Sequence, residues 1–376
     1  MPTPPLSPEL AQAAIDALDE HGKPYLAAKE LGINPNTFAS RIKIAEKRGL
    51  KPAQDPAIQA AMTAIGTGMV PTLAWAKTKN EDGTSFSVLL RPDATSSDSL
   101  ERIRDVLEGM TPAPIIAAPT HKVRDTLTLY PIPDAHVGLL AWERETGEAY
   151  DTKRAVARLQ SWMGQCVAAS PPSETAVILG VGDMTHGDDQ TNQTPGHKHQ
   201  LDVDGRHFQT LEVTIAAIAV CIELALKKHK RVICRILPGN HDKTAYMAVL
   251  FAIAERFREN PRVEVQKEPG EFWAFEFGRV MLCAHHGDKG KAERMVMALA
   301  DNHSEMWGRT KFRFLFTGHL HHHKSADIGG VQWEQLRAVT AKDAYAVAHG
   351  YTARAEMQAV TYHKERGEVS RVRVNA

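Results

Sequence analysis

Carboxylate, carboxamide and imidazole side chains recur along this chain at the ends of short apolar runs. TLTLYPIP is followed by Asp134 and His136, TAVILGVG by Asp183, and RVICRILPG by Asn240, His241 and Asp242. VMLCA is followed by His285 and His286, and FRFLFTG by His319, His321, His322 and His323. Four histidines within five mid-chain positions are not a terminal purification tag, and neutral imidazole is the commonest protein ligand for transition metals. Mixed oxygen and nitrogen donors suit Mn, Fe or Zn, whereas a Ca or Mg site would be mostly oxygen. A lone DxH or GHxH arises by chance, and an isolated buried histidine is more often a satisfied core residue. Five such elements, each after an apolar run of strand length, describe a two-metal hydrolytic centre.

For those side chains to meet, the apolar runs must be neighbouring strands. Helical stretches fall between them at about 151–169 and 205–229, and FWAFEFGRVMLCAH reads as a hairpin around Gly278. MQAVTYH and VSRVRVN close the chain as strands paired across ERGE. This alternation predicts an α/β architecture of sheets covered by helices. Near-continuous apolar strands such as VILGVG are buried on both faces, and ligands gather at the carboxyl ends of such strands.

The series DxH, GD, GNHD, HG and GHxH, in this order, resembles the calcineurin-like metallophosphoesterases over about residues 125–376. The resemblance implies a four-layer α/β/β/α sandwich with two central sheets, holding two divalent metal ions, Mn2+ first and Fe or Zn as alternatives. It implies Asp134, His136 and His321 on one ion, and Asn240, His286 and His319 on the other. Asp183 would bridge both, a role that suits a carboxylate with two oxygens to share. The family ligand stands directly before glycine, which selects His286; His285, one residue earlier on a strand, should face the other way. The resemblance further implies in-line attack at phosphorus by a hydroxide held between ions about 3.5–4 Å apart. His241 resembles the catalytic histidine that serves the leaving oxygen, with Asp242 orienting it. His322 and His323 are surplus to that ligand set and read as groups behind the ligands, substrate contacts or solvated residues.

Histidine is concentrated with this chemistry: of 18, only His21 and His121 precede residue 125. The N-terminal part is of another kind. Ser7 and Pro8 suit an N-cap and first helical position, and ELAQAAIDALDEHG, PYLAAKELG and TFASRIKIAEKRGL read as three helices, the second closed by Gly32. AAKELGINPNTFASRI resembles the helix-turn-helix segments of bacterial and phage regulators, with Ala27, Ala28, Leu31, Ile33, Phe38 and Ile42 as core positions. Arg41, Lys43, Lys47, Arg48 and Lys51 would form a phosphate-contacting face; a solvated three-helix packing module is the plainer alternative. The expected domains are a small all-α unit at 1–51, a joining region at 52–122 and the catalytic unit at 123–376. In the joining region, LAWAKTK and SFSVLLR flank a hairpin turn at Asp82-Gly83, SSDSLERIRDVLEGM reads as a helix, and TPAPIIAAPTHK as an irregular linker.

The totals limit the alternatives. Forty-five basic and 45 acidic residues balance, so no whole-molecule field recruits nucleic acid or membrane. Cys166, Cys221, Cys234 and Cys283 sit singly in apolar runs and read as buried thiols. No signal-peptide pattern opens the chain and no stretch approaches the roughly 20 apolar residues of a membrane span; a soluble, cytoplasmic protein is expected, with homo-oligomerisation left open.

For the substrate, HVG at 136–138 resembles the opening of the family's DNA-repair nuclease branch. The insert THGDDQTNQTPGHKHQLDVDGRHF, residues 185–208, is long and polar. It offers His186, His197, Lys198, His199 and Arg206 as substrate contacts, with His322 beside them. A tethered helix-turn-helix would raise the local concentration of nucleic acid, and the whole resembles phage and prophage proteins with that pairing. Together these favour a phosphodiesterase or nuclease acting on nucleic acid, with DNA preferred. One alternative is a phosphatase or small cyclic-nucleotide phosphodiesterase whose N-terminal helices bind protein. Another is a DNA-binding regulator with a silent hydrolase domain, against which the intact donor set argues. No region resembles the nuclease branch's capping domain or its ATPase-docking segment.

Overall fold

The computed structural model describes residues 7–21, 23–47, 74–79, 85–90, 111–121 and 123–376, which fall in two compact units, 1–104 and 105–376.

In the first unit, α1 (Pro8–His21), α2 (Pro24–Glu30) and α3 (Pro35–Lys47) pack against one another. The Ser7 hydroxyl accepts the Leu10 amide at 3.3 Å, the cap the sequence promised. Between α2 and α3, Gly32 takes φ +62° and the Ile33 amide returns to the Ala28 carbonyl at 3.0 Å. α3 starts two residues earlier than expected, because Pro35 pre-sets the first helical position and Asn34 Oδ1 accepts the Asn36 amide at 2.8 Å. The six expected core residues join Ala14, Ala17 and Leu18 in one apolar cluster. Strands β1 (Ala74–Lys79) and β2 (Ser85–Leu90) pair antiparallel, as the hairpin reading required. The expected turn at 82–83, the helix at 96–110, Arg48 and Lys51 lie outside the described residues.

The second unit is built from two facing sheets. One runs β13-β12-β3-β4-β5-β6 through Gly367–Asn375, Glu356–His363, Thr126–Ile132, Thr175–Gly180, Arg231–Ile236 and Val263–Gln266. The other runs β10-β11-β9-β8-β7 through Lys324–Ile328, Val331–Gln335, Phe312–Thr317, Val280–Ala284 and Trp273–Phe277. Side chains alternate across each strand, and the alternation assigns the layers. Ala176, Ile178, Val232, Cys234 and Ile236 face outward into a core shared with α5 (Thr152–Ala169), α6 (His207–Leu226) and α7 (Ala245–Arg256). Val177, Leu179 and Ile233 face inward, onto Val280, Leu282, Phe314 and Phe316 of the second sheet. Met281, Cys283 and Leu315 on that sheet's far side pack under α8 (Ala292–Asn302) and against Met306 and Trp307 of α9 (Ser304–Arg309). The result is the four-layer α/β/β/α sandwich. All four cysteines are buried and free.

Two connections matter for the site. α4 (Glu143–Thr146) follows β3, and α10 (Ala344–Ala348) lies between β11 and β12 and packs on α4. The Pro/Ala stretch 111–121 is irregular as expected, but it is docked. Ala113 is buried in the outer core, and Arg262 donates to the Ile116 carbonyl at 2.5 Å. α6, against expectation, is long and apolar enough by length and composition to cross a membrane, though half of its apolar window is buried inside the unit.

Candidate metal centre

The parallel register of the first sheet aligns the ends of three strands, Ile132 opposite Gly180 opposite Ile236. The chain leaving each one therefore turns over the same rim. On the second sheet, β8 and β9 run parallel, with Ala284 opposite Phe316, and leave His286 and His319 on neighbouring loops. The first two loops are zipped together: the His136 amide donates to the Asp183 carbonyl and the Val137 amide to that of Met184, both at 2.9 Å.

These turns are tight. Among the described residues, seven non-glycine positions have positive φ, and five of them are Asp134, His136, Asp183, His319 and His321 at +42° to +69°. Left-handed backbone is uncommon outside glycine, Asp and His adopt it more readily than most residues, and it clusters at functional sites. Two neighbouring glycines are required by contact: a Cβ on Gly239 would stand 1.9 Å from Asp183 Oδ1, and one on Gly318 2.4 Å from Asp134 Oδ2.

The expected donors form two groups. In the first, His321 Nε2 lies 3.3 Å from Asp134 Oδ1 and 3.3 Å from His136 Nε2. The second joins Asp183, His286 and His319, with Asn240 Oδ1 3.0 Å from His286 Nε2. Asp183 Oδ2 is shared, at 3.2 Å from His286 Nε2 and 3.7 Å from His136 Nε2. Both carboxylates are almost wholly buried. Isolated buried carboxylates are costly unless paired or bound to a metal, and imidazole nitrogens converge on both. The donor chemistry therefore fits divalent metal binding.

The electrostatics are those of a cation site. Burial, helped by His241, drives His136 well below the ordinary imidazole range and leaves it a neutral donor. Burial raises the Asp183 carboxyl, but His286 and His241 outweigh it and hold the group well below the usual carboxylate range. His286 is lifted to about 10: burial opposes the shift and Asp183 overrides it. Its Nδ1 donates to the Val181 carbonyl at 2.8 Å, so a proton and a metal compete for the Nε2 that faces Asp183.

His241 stands beside the first group, its ring 4.7 Å from that of His136. Asp242 was expected to orient it and does not. His241 Nδ1 meets the His186 carbonyl at 2.8 Å, whereas Asp242 accepts backbone amides from Gly239 at 2.8 Å, Met184 at 2.7 Å, and Asp183 and Thr185 at 3.2 and 3.3 Å. Turning inward under the loops lets this carboxylate tie the Asp183 turn to the Asn240 turn. Burial and then the Asp183 charge push it up to about 7.

His186 was expected to touch substrate, yet it is 3 % exposed. The turn after Asp183 folds it beneath His136, Nδ1 to Nδ1 at 3.1 Å, and its ring stacks on His241. The rest of the insert is an ordered tongue: Gln193 bridges Gln200, Leu139 bridges Val203, and Asp188 binds the Thr244 and Ala245 amides at 2.7 Å. His197 and His199 are exposed on it with rings 5.8 Å apart, and Arg206 is exposed at the start of α6. None of these three joins the donor groups. His285 faces away as expected, against Phe272 and into a cleft of about 190 Å³ shared with Lys243 and Lys289. His322 is exposed, and His323 pairs with Glu334 at 3.4 Å. In the first unit, Arg41 is half-buried and Lys43 exposed on α3, whose last residue is Lys47.

No protein-family model matches the sequence, and no curated protein matches it. Among solved structures, the chain is similar to an archaeal phosphodiesterase at 11 % identity and TM-score 0.33, covering 67 % of this chain and 99 % of that one. It is also similar to the zinc complex of Vps29 from Entamoeba histolytica, at 13 % identity and TM-score 0.26 over 66 % and 98 % of the two chains. A phosphopantetheinyl hydrolase from Mycobacterium tuberculosis gives 11 % and 0.28 over 61 % and 94 %. Likeness at this level carries no argument about activity.

Proposed function

We propose that the chain is a hydrolase, a binuclear metal-dependent phosphoesterase of the calcineurin-like type, acting as a phosphodiesterase on nucleic acid, DNA first. The observation that carries the reading is the Asp183 carboxylate standing within 3.7 Å of imidazole nitrogens from both donor groups. Asp134, His136 and His321 would hold one ion, Asn240, His286 and His319 the other, with Asp183 common to both; Mn2+ suits the set, with Fe or Zn as alternatives. Two such ions supply Lewis acidity toward a phosphoryl oxygen and a nucleophile at neutral pH.

The chain's own groups do the rest. The His186 carbonyl fixes His241 by its Nδ1, which leaves Nε2 to serve the departing oxygen. Asp242 holds the Asp183 and Asn240 turns at fixed separation, so the reacting groups meet without reorganisation. α1–α3, read as a helix-turn-helix, would bind nucleic acid and, being tethered to the catalytic unit, raise its local concentration.

The test is hydrolysis by Mn2+-loaded protein of labelled single- and double-stranded DNA, bis(p-nitrophenyl) phosphate and p-nitrophenyl phosphate, beside an Asp183→Ala control. Cleavage of DNA and the diester, absent in the control, supports the reading. Turnover of the monoester alone would replace it with a phosphatase.

A further inference from the structure

The chain leaving His136 and the chain entering β12 carry exposed aromatic side chains that the metal centre does not use. Six large aromatic side chains are exposed among the described residues, and three of them, Trp142 at 61 %, Tyr345 at 59 % and Tyr351 at 53 %, stand on these two segments. Trp142 precedes α4, six positions after His136. Tyr345 is on α10, whose preceding segment is tied to the metal rim: the Val339 and Thr340 amides donate to the Pro133 and Asp134 carbonyls at 3.0 and 3.1 Å. Asp343 caps α10 by accepting the Ala346 amide at 2.7 Å, and α10 packs on α4. Arg144 lies over the Trp142 indole at 5.4 Å, and Tyr345 packs on His349 with centroids 4.0 Å apart and on Tyr351 at 6.5 Å.

We propose that Trp142, Tyr345 and Tyr351 form a stacking shelf for the unpaired bases of a single-stranded nucleic acid whose phosphate lies at the adjacent metal centre. This rests on the phosphodiesterase reading. Base stacking on aromatic side chains is sequence-tolerant and a main source of single-strand affinity. The shelf needs no cluster of cations, because the metal centre beside it takes the phosphate charge. In a duplex the base faces are covered by their neighbours, so the shelf selects single strands.

The experiment uses the full chain with fluorescein-labelled hexathymidylate, a blunt duplex and bis(p-nitrophenyl) phosphate. Trp142→Ala and Tyr345→Ala should each weaken hexathymidylate binding roughly tenfold. Trp142→Phe should stay near wild type, duplex binding should not respond, and kcat/KM on bis(p-nitrophenyl) phosphate should hold within about twofold, since that diester has no strand of bases to lie along the shelf. Hexathymidylate affinity unchanged in both alanine variants overturns the shelf. So does a dimer that dissociates on Trp142→Ala with strand binding intact, which would make the patch a contact between copies. If bis(p-nitrophenyl) phosphate is turned over but hexathymidylate is not bound, the shelf falls and the phosphodiesterase stands. If the small diester is inert as well, the reading beneath it falls and takes the shelf with it.

Discussion

The Nδ1 atoms of His136 and His186 lie 3.1 Å apart, so one carries a proton and the other a lone pair. His136 Nε2 faces His321 and Asp183. A metal on that nitrogen places the proton on His136 Nδ1 and makes His186 the acceptor. Partners that fix a ligating histidine in this way are worth about 10- to 100-fold in metal affinity. His186→Ala should weaken one of two binding events in a metal titration by that factor, while His186→Gln, which retains an acceptor oxygen, should recover part of it. Equal affinities in wild type and His186→Ala would show that the contact is incidental.

Asp242 gathers four buried amides from two loops. Each buried donor left unpaired costs about 1–3 kcal/mol. Asp242→Ala should therefore lower the urea midpoint by a margin corresponding to at least about 3 kcal/mol. It should also loosen both metals, because the Asp183 and Asn240 turns lose their common anchor. Unfolding at the wild-type midpoint would contradict the bracing role.

Gly239 tests the packing of the centre itself. Its Cα approaches Asp183 so closely that an alanine methyl would occupy the carboxylate's position. Gly239→Ala should displace the shared oxygen by the order of an ångström, and such a shift costs about a hundredfold in rate. Steady-state kinetics on the small diester decide it, with circular dichroism confirming that the variant is folded.

Away from the centre, His229 is fully buried and lies 2.7 Å from both the Tyr130 hydroxyl and Ser173 Oγ. Burial lowers its pKa from 6.5 to about 4. The unfolded chain then binds this proton more readily than the folded one. The stability from the neutral ring is complete above pH 6.5 and is lost as pH falls toward 4, roughly 3 kcal/mol in all. His229→Leu should be less stable at neutral pH, since Tyr130 and Ser173 lose a partner, but its stability should fall less steeply between pH 6.5 and 4. Parallel acid-denaturation slopes would contradict this.

The strands that carry ligands were legible because each is an apolar run ending in a glycine- or proline-marked turn, from β3 with Asp134 to β9 with His319. Their buried alternation also fixed which face met which layer. β10 was not legible: KSADI is almost wholly exposed and lies at a sheet edge, so no apolar pattern marks it. α10 is five residues long, too short for a helical period to show. The donor set itself was readable as residue types at family spacing, but the directions of Asp242 and His186 were not. Both are set by contacts between loops distant in sequence, Asp242 with the amides of residues 183–185 and His186 with His136, which no local pattern records.

Two cations sharing Asp183 would be visible directly by anomalous diffraction from a Mn2+-soaked crystal. Two peaks about 3.5–4 Å apart are expected, one among Asp134, His136 and His321 and one among Asn240, His286 and His319, both in contact with the Asp183 carboxylate. A single peak, or a pair that leaves Asp183 uncoordinated, would contradict the shared site.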